Sequence, residues 1–188
     1  MDSMKNGARK SSVRKTKKEV DLRDLLLLKL RSLYDIEHEL VRALPKMASH
    51  ASDQSLKGSF RNHLAETRAQ VERLKQVFKK LGEKPTKIKV LAIRGLIKDA
   101  EWVMKHIPNP EPLDAALIAA GSYVEHYEIA GYTSAIMWAE ELGLDPIANL
   151  LSESLREEIA ASGKLNGLAV SKIDKKVLPS RELTDAER

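Results

Sequence analysis

Apolar residues recur at alternating spacings of three and four along most of residues 20–169, which is the period of an amphipathic α-helix. The first stripe runs from Leu26 to Met47 and includes one acidic residue, Glu37. The second stripe follows a capping Asp53 and closes at Gly82. No segment alternates between apolar and polar residues in the manner of a strand bounded by hairpin turns. The pattern predicts an all-α protein.

Three more helical segments are predicted after residue 85. The loop between the first two of them, residues 107–112, holds three prolines, which remove hydrogen bonds and clash with the preceding turn inside a helix. The last helix is expected to begin with Asp145 as its N-cap and Pro146 at its first position. In chain order the segments are 87–106, 114–142 and about 146–169.

The lengths of the connections predict how the four long helices pack. Short loops at 50–53 and 143–145 make the first and second long helices antiparallel neighbours, and likewise the third and fourth. The connection 83–113 is long enough to run the length of the bundle and carries the short fifth helix. One long crossover between two helical hairpins is the connectivity of ferritin-like folds. We therefore expect a ferritin-like four-helix bundle over residues 20–169.

The positive charge of the chain is concentrated at its start. Of 32 basic and 27 acidic residues, seven basic and one acidic lie in residues 1–18, which leaves 25 and 26 for the remainder. Because this composition favours an unfolded segment, residues 1–19 are predicted to form a basic arm, and 170–188 a polar tail. The arm suits contact with DNA or another acidic surface, or serves only as a solubilising tail. Its cations available for such contact include Lys10, Arg14, Lys15, Lys17 and Lys18.

Composition excludes several classes of protein. The chain has no cysteine, which excludes disulfides, thiolate metal ligands and cysteine nucleophiles. Its longest uncharged runs are far shorter than the roughly 20 apolar residues that span a bilayer. The first two dozen residues lack the apolar core of a secretory signal. These features predict a cytoplasmic protein with no membrane-spanning segment.

Acidic and other polar residues interrupt the apolar stripes at similar depths of all four long helices. Glu37 lies between leucines on the first stripe, and Glu158 lies on the last one, in phase with Ser162. On the second and third helices the polar residues are spaced three or four apart, so that they share one face. The inward-facing set is Glu37, His63, Glu66, Gln70, Glu125, Glu128 and Glu158.

This set predicts a metal site inside the bundle. A buried carboxylate is costly unless it is paired or binds a metal, and several at one depth repel one another without cations between them. Two iron or manganese ions, each held by carboxylate oxygens and an imidazole nitrogen, would remove that cost. Taken one by one, each glutamate also has an ordinary interpretation as a surface residue or the partner of a buried arginine. His63 alone has one as a hydrogen-bonded interior histidine.

Three stretches around these residues also have a distinctive sequence. They are Leu33–Ala48 (LYDIEHELVRALPKMA), His63–Leu74 (HLAETRAQVERL) and Val124–Ala130 (VEHYEIA). They resemble the YciE/YciF family of bacterial stress proteins, with a ferritin-like, rubrerythrin-related fold. The resemblance covers roughly residues 20–169 and implies a homodimer with a dinuclear metal centre, described as ferroxidase-like. The ligands it implies are Glu37, Glu66, Glu125, Glu128 and Glu158, with His63 and Gln70 as ligands or neighbours.

The ligand motif differs in one respect from that of ferritin-like di-iron proteins, which present Glu-x-x-His on two helices. Here the second helix reads His63-x-x-Glu66, and Ala161 stands three residues after Glu158. The relatives often carry Asp where this chain has Ser162. The predicted site is therefore rich in carboxylates and poor in histidine. The residues expected to surround the ligands are Gln70, Tyr34, Tyr132 and Ser162.

Three hypotheses for function follow. In the first, the chain is a di-iron or di-manganese protein that oxidises Fe(II) with oxygen or peroxide, and Tyr34, Tyr127 or Tyr132 relays an electron. In the second, the bundle is a non-enzymatic dimeric stress scaffold with structural metal, and its basic arm binds nucleic acid. In the third, the carboxylates form buried salt bridges without metal, which the stripes favour least because they supply few interior Arg or Lys residues.

Overall fold

The structure, a computed structural model, describes residues 19–177. Within that range it is helical nearly throughout and holds no strand. The prediction of an all-α fold is confirmed. The elements are α1 (Leu22–His50), α2 (Gln54–Lys80), α3 (Leu91–His106), α4 (Pro110–Glu141), α5 (Asp145–Leu168), a π-helical turn (Ala169–Ile173) and the short α6 (Asp174–Lys176).

The first two helices begin at aspartates that cap their free N–H groups. Asp21 accepts a hydrogen bond from the backbone N–H of Asp24, whose carboxylate accepts one in return from Asp21. Asp53 accepts from the N–H groups of Ser55 and Leu56, as the sequence predicts for α2. Each cap satisfies donors that the helix itself leaves without partners.

The start of α4 corrects the predicted loop at 107–112. The helix begins at Pro110, so that Pro110 and Pro112 both lie in its first turn. Proline is tolerated there because the first N–H groups of a helix have no intrahelical partner to lose. Two smaller differences are that α3 begins at Leu91 and not at 87, and that α5 already includes Asp145.

Helical structure also continues past residue 169, where the sequence predicts a polar tail. The π-helical turn places Ile173 in the core with none of its surface exposed. In α6 the Lys176 ammonium lies 3.6 Å from the Asp53 carboxylate, at the beginning of α2. Helical structure that contacts the bundle therefore extends at least to Lys176. The basic arm at 1–18 and residues 178–188 lie outside the described residues.

The four long helices form two antiparallel hairpins. Helix α1 packs against α2, and α4 against α5, while α2 also contacts α5 and α1 contacts α4. The crossover helix α3 covers α1 and α4. This arrangement confirms the predicted bundle with one long crossover. No helix in residues 19–177 is long and apolar enough to cross a membrane.

A buried ion pair fixes the crossover to the bundle. Asp35 on α1 is 4% exposed and accepts hydrogen bonds from the Val90 N–H at 2.9 Å and from the Arg94 guanidinium at 2.6 and 3.1 Å. Burial raises the pKa of Asp35, but these hydrogen bonds outweigh burial and hold the pKa below its usual value. Arg94 also donates to Glu39 at 2.8 Å.

A second buried carboxylate joins the two hairpins. Asp114 on α4 is 2% exposed and accepts three hydrogen bonds from the turn between α1 and α2. The donors are the Ser52 N–H at 2.8 Å, the Ser52 hydroxyl at 2.5 Å and the Asp53 N–H at 2.9 Å. The Asp114 side chain therefore holds the first turn of α4 against the first hairpin.

Two glycines let α4 approach its neighbours closely. A Cβ atom on Gly121 would lie 2.9 Å from a methyl carbon of Leu165 on α5, and one on Gly131 would lie 3.0 Å from a methyl carbon of Leu33 on α1. Both distances are shorter than ordinary carbon–carbon contacts. Because glycine has no side chain, α4 can lie this close to Leu165 on α5 and to Leu33 on α1.

Candidate metal centre

Four ligand side chains from three helices converge in the middle of the bundle. They are His63 from α2, Glu125 and Glu128 from α4, and Glu158 from α5, and one ligand atom from each lies within 4.8 Å of the others. All four residues are at least 96% buried. The helical period turns these polar residues inward, because each lies on the apolar stripe of its helix. We refer to the four as the ligand cluster.

His63 faces two of these carboxylates directly. Its Nε2 atom lies 3.3 Å from Glu125 Oε1 and 3.8 Å from Glu158 Oε2. Its Nδ1 atom lies 3.5 Å from Glu66 Oε2, on the side towards solvent. An imidazole nitrogen and several carboxylate oxygens at this spacing are a donor set that iron, manganese and other divalent ions accept.

Glu37 lies beside the ligand cluster rather than in it. It is fully buried on α1 and accepts a hydrogen bond from the hydroxyl of Tyr132, which is also fully buried. Burial and the neighbouring Glu158 charge raise the pKa of Glu37 well above its usual value. The structure thus brings five of the predicted ligands to one interior region, with Tyr132 in contact with Glu37.

Glu66 marks the edge of the site. Its side chain is 29% exposed, whereas Glu125 and Glu158 are 4% and 0% exposed. The His63 ring, with Lys164 adding to its effect, lowers the pKa of Glu66. Among the predicted glutamate ligands, Glu66 is therefore the one whose pKa is lowered and whose side chain is in reach of solvent.

Buried oxygen and nitrogen atoms that could bind a metal but make no hydrogen bond to a described residue concentrate in this region. Among the described residues, buried oxygen or nitrogen atoms that make no hydrogen bond include both oxygens of Glu128, both ring nitrogens of His63 and one oxygen each of Glu37, Glu125 and Glu158. Buried polar atoms are nearly always satisfied in folded proteins. A cluster of unsatisfied carboxylate and imidazole atoms has the chemistry of a metal site, so these residues fit a bound transition metal.

Without a cation the carboxylates would retain protons. Burial, followed by repulsion from Glu158, raises the pKa of Glu125 to about 10. Burial also raises the pKa values of Glu128 and Glu158. Neutral acids lower the repulsion among these groups but leave them with unsatisfied atoms. A metal ion would release the protons and supply partners for the freed oxygens.

A polar network on one side of the cluster went unnoticed in the sequence pattern. Gln70 donates hydrogen bonds to Glu158 and, at 3.0 Å, to Glu157. Arg73 binds Glu157 through two nitrogens at 3.0 and 2.9 Å and donates to the buried Ser154 hydroxyl at 2.8 Å. Glu157 is thus half-buried and paired with Arg73, although it lies about 100° around α5 from the inward-facing Glu158. In the sequence, the residue that indicates this pairing is Arg73, because it lies three residues after Gln70 and so on the same face of α2.

Of two other predicted neighbours, Tyr34 packs against Phe78, whereas Ser162 is buried one turn from Glu158. Tyr34 packs edge-on against the ring of Phe78, with 5.8 Å between ring centroids, about two turns along α2 from Gln70. The Tyr34 ring also contacts the ring of His38 on its own helix. The structure therefore turns Tyr34 towards the end of α2 and not towards the ligand cluster. Ser162 is buried on α5 one turn beyond Glu158.

The fold and the cluster together define a helical-bundle protein with a buried carboxylate–imidazole centre. The chain belongs to the family described as "Domain of unknown function (DUF892)", which matches residues 21–178. It is 41% identical over 156 residues to Protein YciF of Escherichia coli (strain K12), over 82% of this chain and 94% of YciF. The resemblance to the YciE/YciF family is confirmed.

Solved structures of similar proteins agree with the fold. The crystal structure of the E. coli stress protein YciF has a TM-score of 0.79 at 40% identity, over 82% of this chain and 98% of YciF. YcfI from Rhodopseudomonas palustris has a TM-score of 0.77 at 47% identity, over 80% of this chain and 97% of YcfI. A protein from Xanthomonas campestris, at 19% identity and a TM-score of 0.63, shares the fold.

Proposed function

We propose that the chain binds two transition-metal ions inside the bundle, with iron as the first choice and manganese as the second. The observation that carries this proposal is the group of buried donor atoms without partners around the ligand cluster. His63, Glu125, Glu128 and Glu158 would hold the ions, with Glu37 and Glu66 at either side. Carboxylate-rich sites with one imidazole suit these metals.

The bound metals would supply one-electron redox chemistry with oxygen or peroxide as oxidant. In a ferroxidase reaction Fe(II) is the substrate. Two Fe(II) each lose one electron to one hydrogen peroxide, which takes up two protons and leaves as two water molecules. Side chains around the site would carry protons and would keep the ligand carboxylates in position through hydrogen bonds. Tyr132 donates a hydrogen bond to Glu37, and Gln70 holds Glu158.

Metal content is the first test of this proposal. Metal-free protein titrated with Fe(II) without oxygen, or with Mn(II), should bind about two ions per chain. Glu128→Gln should bind fewer, whereas Glu140→Gln, which alters an exposed glutamate of the same helix, should match the wild type. Elemental analysis after gel filtration measures the ratio. A value near zero for folded wild-type protein would refute the metal site.

Oxidation separates an enzyme from a scaffold. If the site is a ferroxidase, the protein should oxidise many equivalents of Fe(II) in the presence of peroxide faster than buffer does, and Glu128→Gln should abolish the gain. If two ions bind but the rate equals that of buffer, the metal is structural and the non-enzymatic scaffold is the better proposal. Loss of Fe(II) is measured with a ferrous chelator at timed intervals.

A second candidate function rests on the basic arm and on the family resemblance, which implies a homodimer. We propose that a dimer presents its arms to DNA. Each arm carries a net charge of +6, from seven basic residues and Asp2. Neutralising about six phosphates predicts a log–log salt slope of roughly −5 per arm. Deleting residues 1–18 should abolish binding and leave metal content unchanged, and sedimentation analysis should show the dimer with or without the arms.

A further inference from the structure

A narrow recess leads from the surface to the ligand cluster. It lies between α2, α4 and α5, and its volume is about 10 Å³, enough for roughly one water molecule. His63 and Glu125 form its inner wall. An ion that passes this recess must therefore exchange most of its bound water for protein oxygens on the way. Its lining residues include Phe60, His63, Glu66, Glu125, Lys164 and Leu165.

Glu66 is placed to make that exchange. One of its oxygens lies 3.5 Å from His63 Nδ1, the ring nitrogen on the solvent side, and the other lies 3.6 Å from Lys164 Nζ. His63 is 96% buried, and neither of its nitrogens makes a hydrogen bond to any residue that the structure describes. The Glu66 carboxylate thus bridges a half-exposed cation outside and an unsatisfied ligand inside.

We propose that Lys164 is an electrostatic barrier to metal uptake, which acts by occupying Glu66 at the mouth of the recess. This inference rests on the proposed metal site. The ammonium repels an arriving divalent cation and competes with it for the same Glu66 oxygens. An ion enters only when it displaces Lys164, and Glu66 then passes it to His63. Uptake is therefore slower than the open mouth alone would allow.

Lys164 has a second interpretation as an ordinary surface ion pair. Its side chain is 51% exposed, and exposed pairs of this kind contribute little to stability. The two interpretations differ in kinetics. A surface pair has no effect on the rate of metal uptake, whereas a barrier slows it without changing the number of ions that bind.

The test measures the rate at which full-length metal-free protein takes up Mn(II). Rapid mixing followed by the EPR signal of free Mn(II) gives the rate, and equilibrium titration gives the number of ions bound. Lys164→Gln should take up Mn(II) about threefold faster at low salt, because one repelling charge is gone. The gain should shrink in 0.5 M salt, where charges are screened over about 4 Å.

Matched variants isolate the charge and its route. Lys164→Arg keeps the charge and should keep the slow rate. Lys105→Gln removes the same charge from an exposed position of α3, a helix that packs on α1 and α4 away from the recess. This variant should also match the wild type. In a Glu66→Gln background, Lys164→Gln should accelerate uptake much less than in the wild type.

The outcomes separate this inference from the proposed function. Two ions bound by both proteins at equal rates would overturn the barrier and leave the metal site standing. If Lys164→Gln accelerates Mn(II) uptake equally in the wild-type and Glu66→Gln backgrounds, Glu66 has no role in the barrier. Wild-type protein that binds no Mn(II) and no Fe(II) would overturn the barrier and the metal site together.

Discussion

Two buried carboxylates on the same helix have opposite surroundings. Asp114 and Glu128 both lie on α4 and are 2% and 0% exposed. Asp114 accepts three hydrogen bonds from Ser52 and Asp53, whereas neither oxygen of Glu128 has a hydrogen-bond partner within residues 19–177. The two acids are alike in their burial and in the helix that carries them. They differ in the hydrogen-bond donors that surround each carboxylate.

The difference shows what each acid contributes. Hydrogen bonds to a charged carboxylate offset the cost of its burial, so Asp114 stabilises the joint between the two hairpins. Glu128 has no such compensation within the protein and must retain a proton or accept a cation. We therefore expect the first acid to act on stability under all conditions and the second to act on stability through metal.

The largest expected effect is the stabilisation of the wild type by metal. At free Mn(II) 100-fold above the dissociation constant, two sites should add roughly 5 kcal/mol to the free energy of unfolding. Glu128→Gln should lose at least half of this gain, and Asp114→Asn should keep all of it. Urea unfolding with chelator and with Mn(II) measures both. An equal gain in Glu128→Gln would end the contrast between the two acids.

Removal of the satisfied acid should cost almost as much. Asp114→Ala leaves two backbone N–H groups without their acceptor, so the free energy of unfolding should fall by about 3 kcal/mol. The loss should be the same in chelator and in Mn(II). Glu140→Ala, at an exposed position of the same helix, serves as the control and should change stability by less than about 0.5 kcal/mol.

The pH dependence of the metal-free protein tests the unsatisfied acids. Burial raises the pKa of Glu125 to about 10, against 4.5 for the ordinary side chain. Between these values the native protein keeps a proton that the unfolded chain releases, so the free energy of unfolding should fall as pH rises. One such group gives a slope of up to about 1.4 kcal/mol per pH unit.

Glu125→Gln removes this titration, so its metal-free stability should fall less steeply than that of the wild type. Chemical denaturation in chelator at pH 6, 7 and 8 gives the two slopes. Identical slopes would mean that Glu125 is already ionised in the metal-free fold. Metal should reverse the trend, because its binding displaces protons and strengthens as pH rises.

The smallest effect is expected at Glu37. Glu37→Gln keeps an acceptor for the Tyr132 hydroxyl and removes one buried acid. The metal-free variant should therefore be as stable as the wild type or up to about 1 kcal/mol more stable, and its stabilisation by metal should be weaker. Thermal melts with chelator and with Fe(II) or Mn(II) measure both. A variant that melts well below the wild type in chelator would make Glu37 a structural partner.

The contrast between the two acids also explains what the sequence could predict. The helical period identifies Glu37, His63, Glu125, Glu128 and Glu158 because each interrupts an apolar stripe, and a stripe is a local property. The partners of Asp35 and Asp114 lie 59 and 62 residues away along the chain. Their pairing depends on how the helices pack, and no spacing within one helix reports it.

The start of α4 and the segment after α5 were mispredicted for local reasons. Three prolines between 107 and 112 indicated a loop, but two of them occupy the first turn of α4, the one part of a helix that tolerates them. Polar residues after 169 indicated a tail, but Ile173 is fully buried and Ala169 also packs against the core, so the π-helical turn belongs to the bundle. The overall composition of a segment does not report where single residues such as these stand in a helix.

The two glycines of α4 have a consequence for protein design. Gly121 lies one turn before Glu125, and Gly131 lies about one turn after Glu128, so close contacts with α5 and α1 flank the pair of ligands on both sides. The eleven residues from 121 to 131 therefore form one transferable unit. An engineer who grafts the two glutamates onto another bundle must move both glycines with them. Alanines in their place would press on the methyl groups of Leu165 and Leu33, and these leucines would have to move next to the ligands.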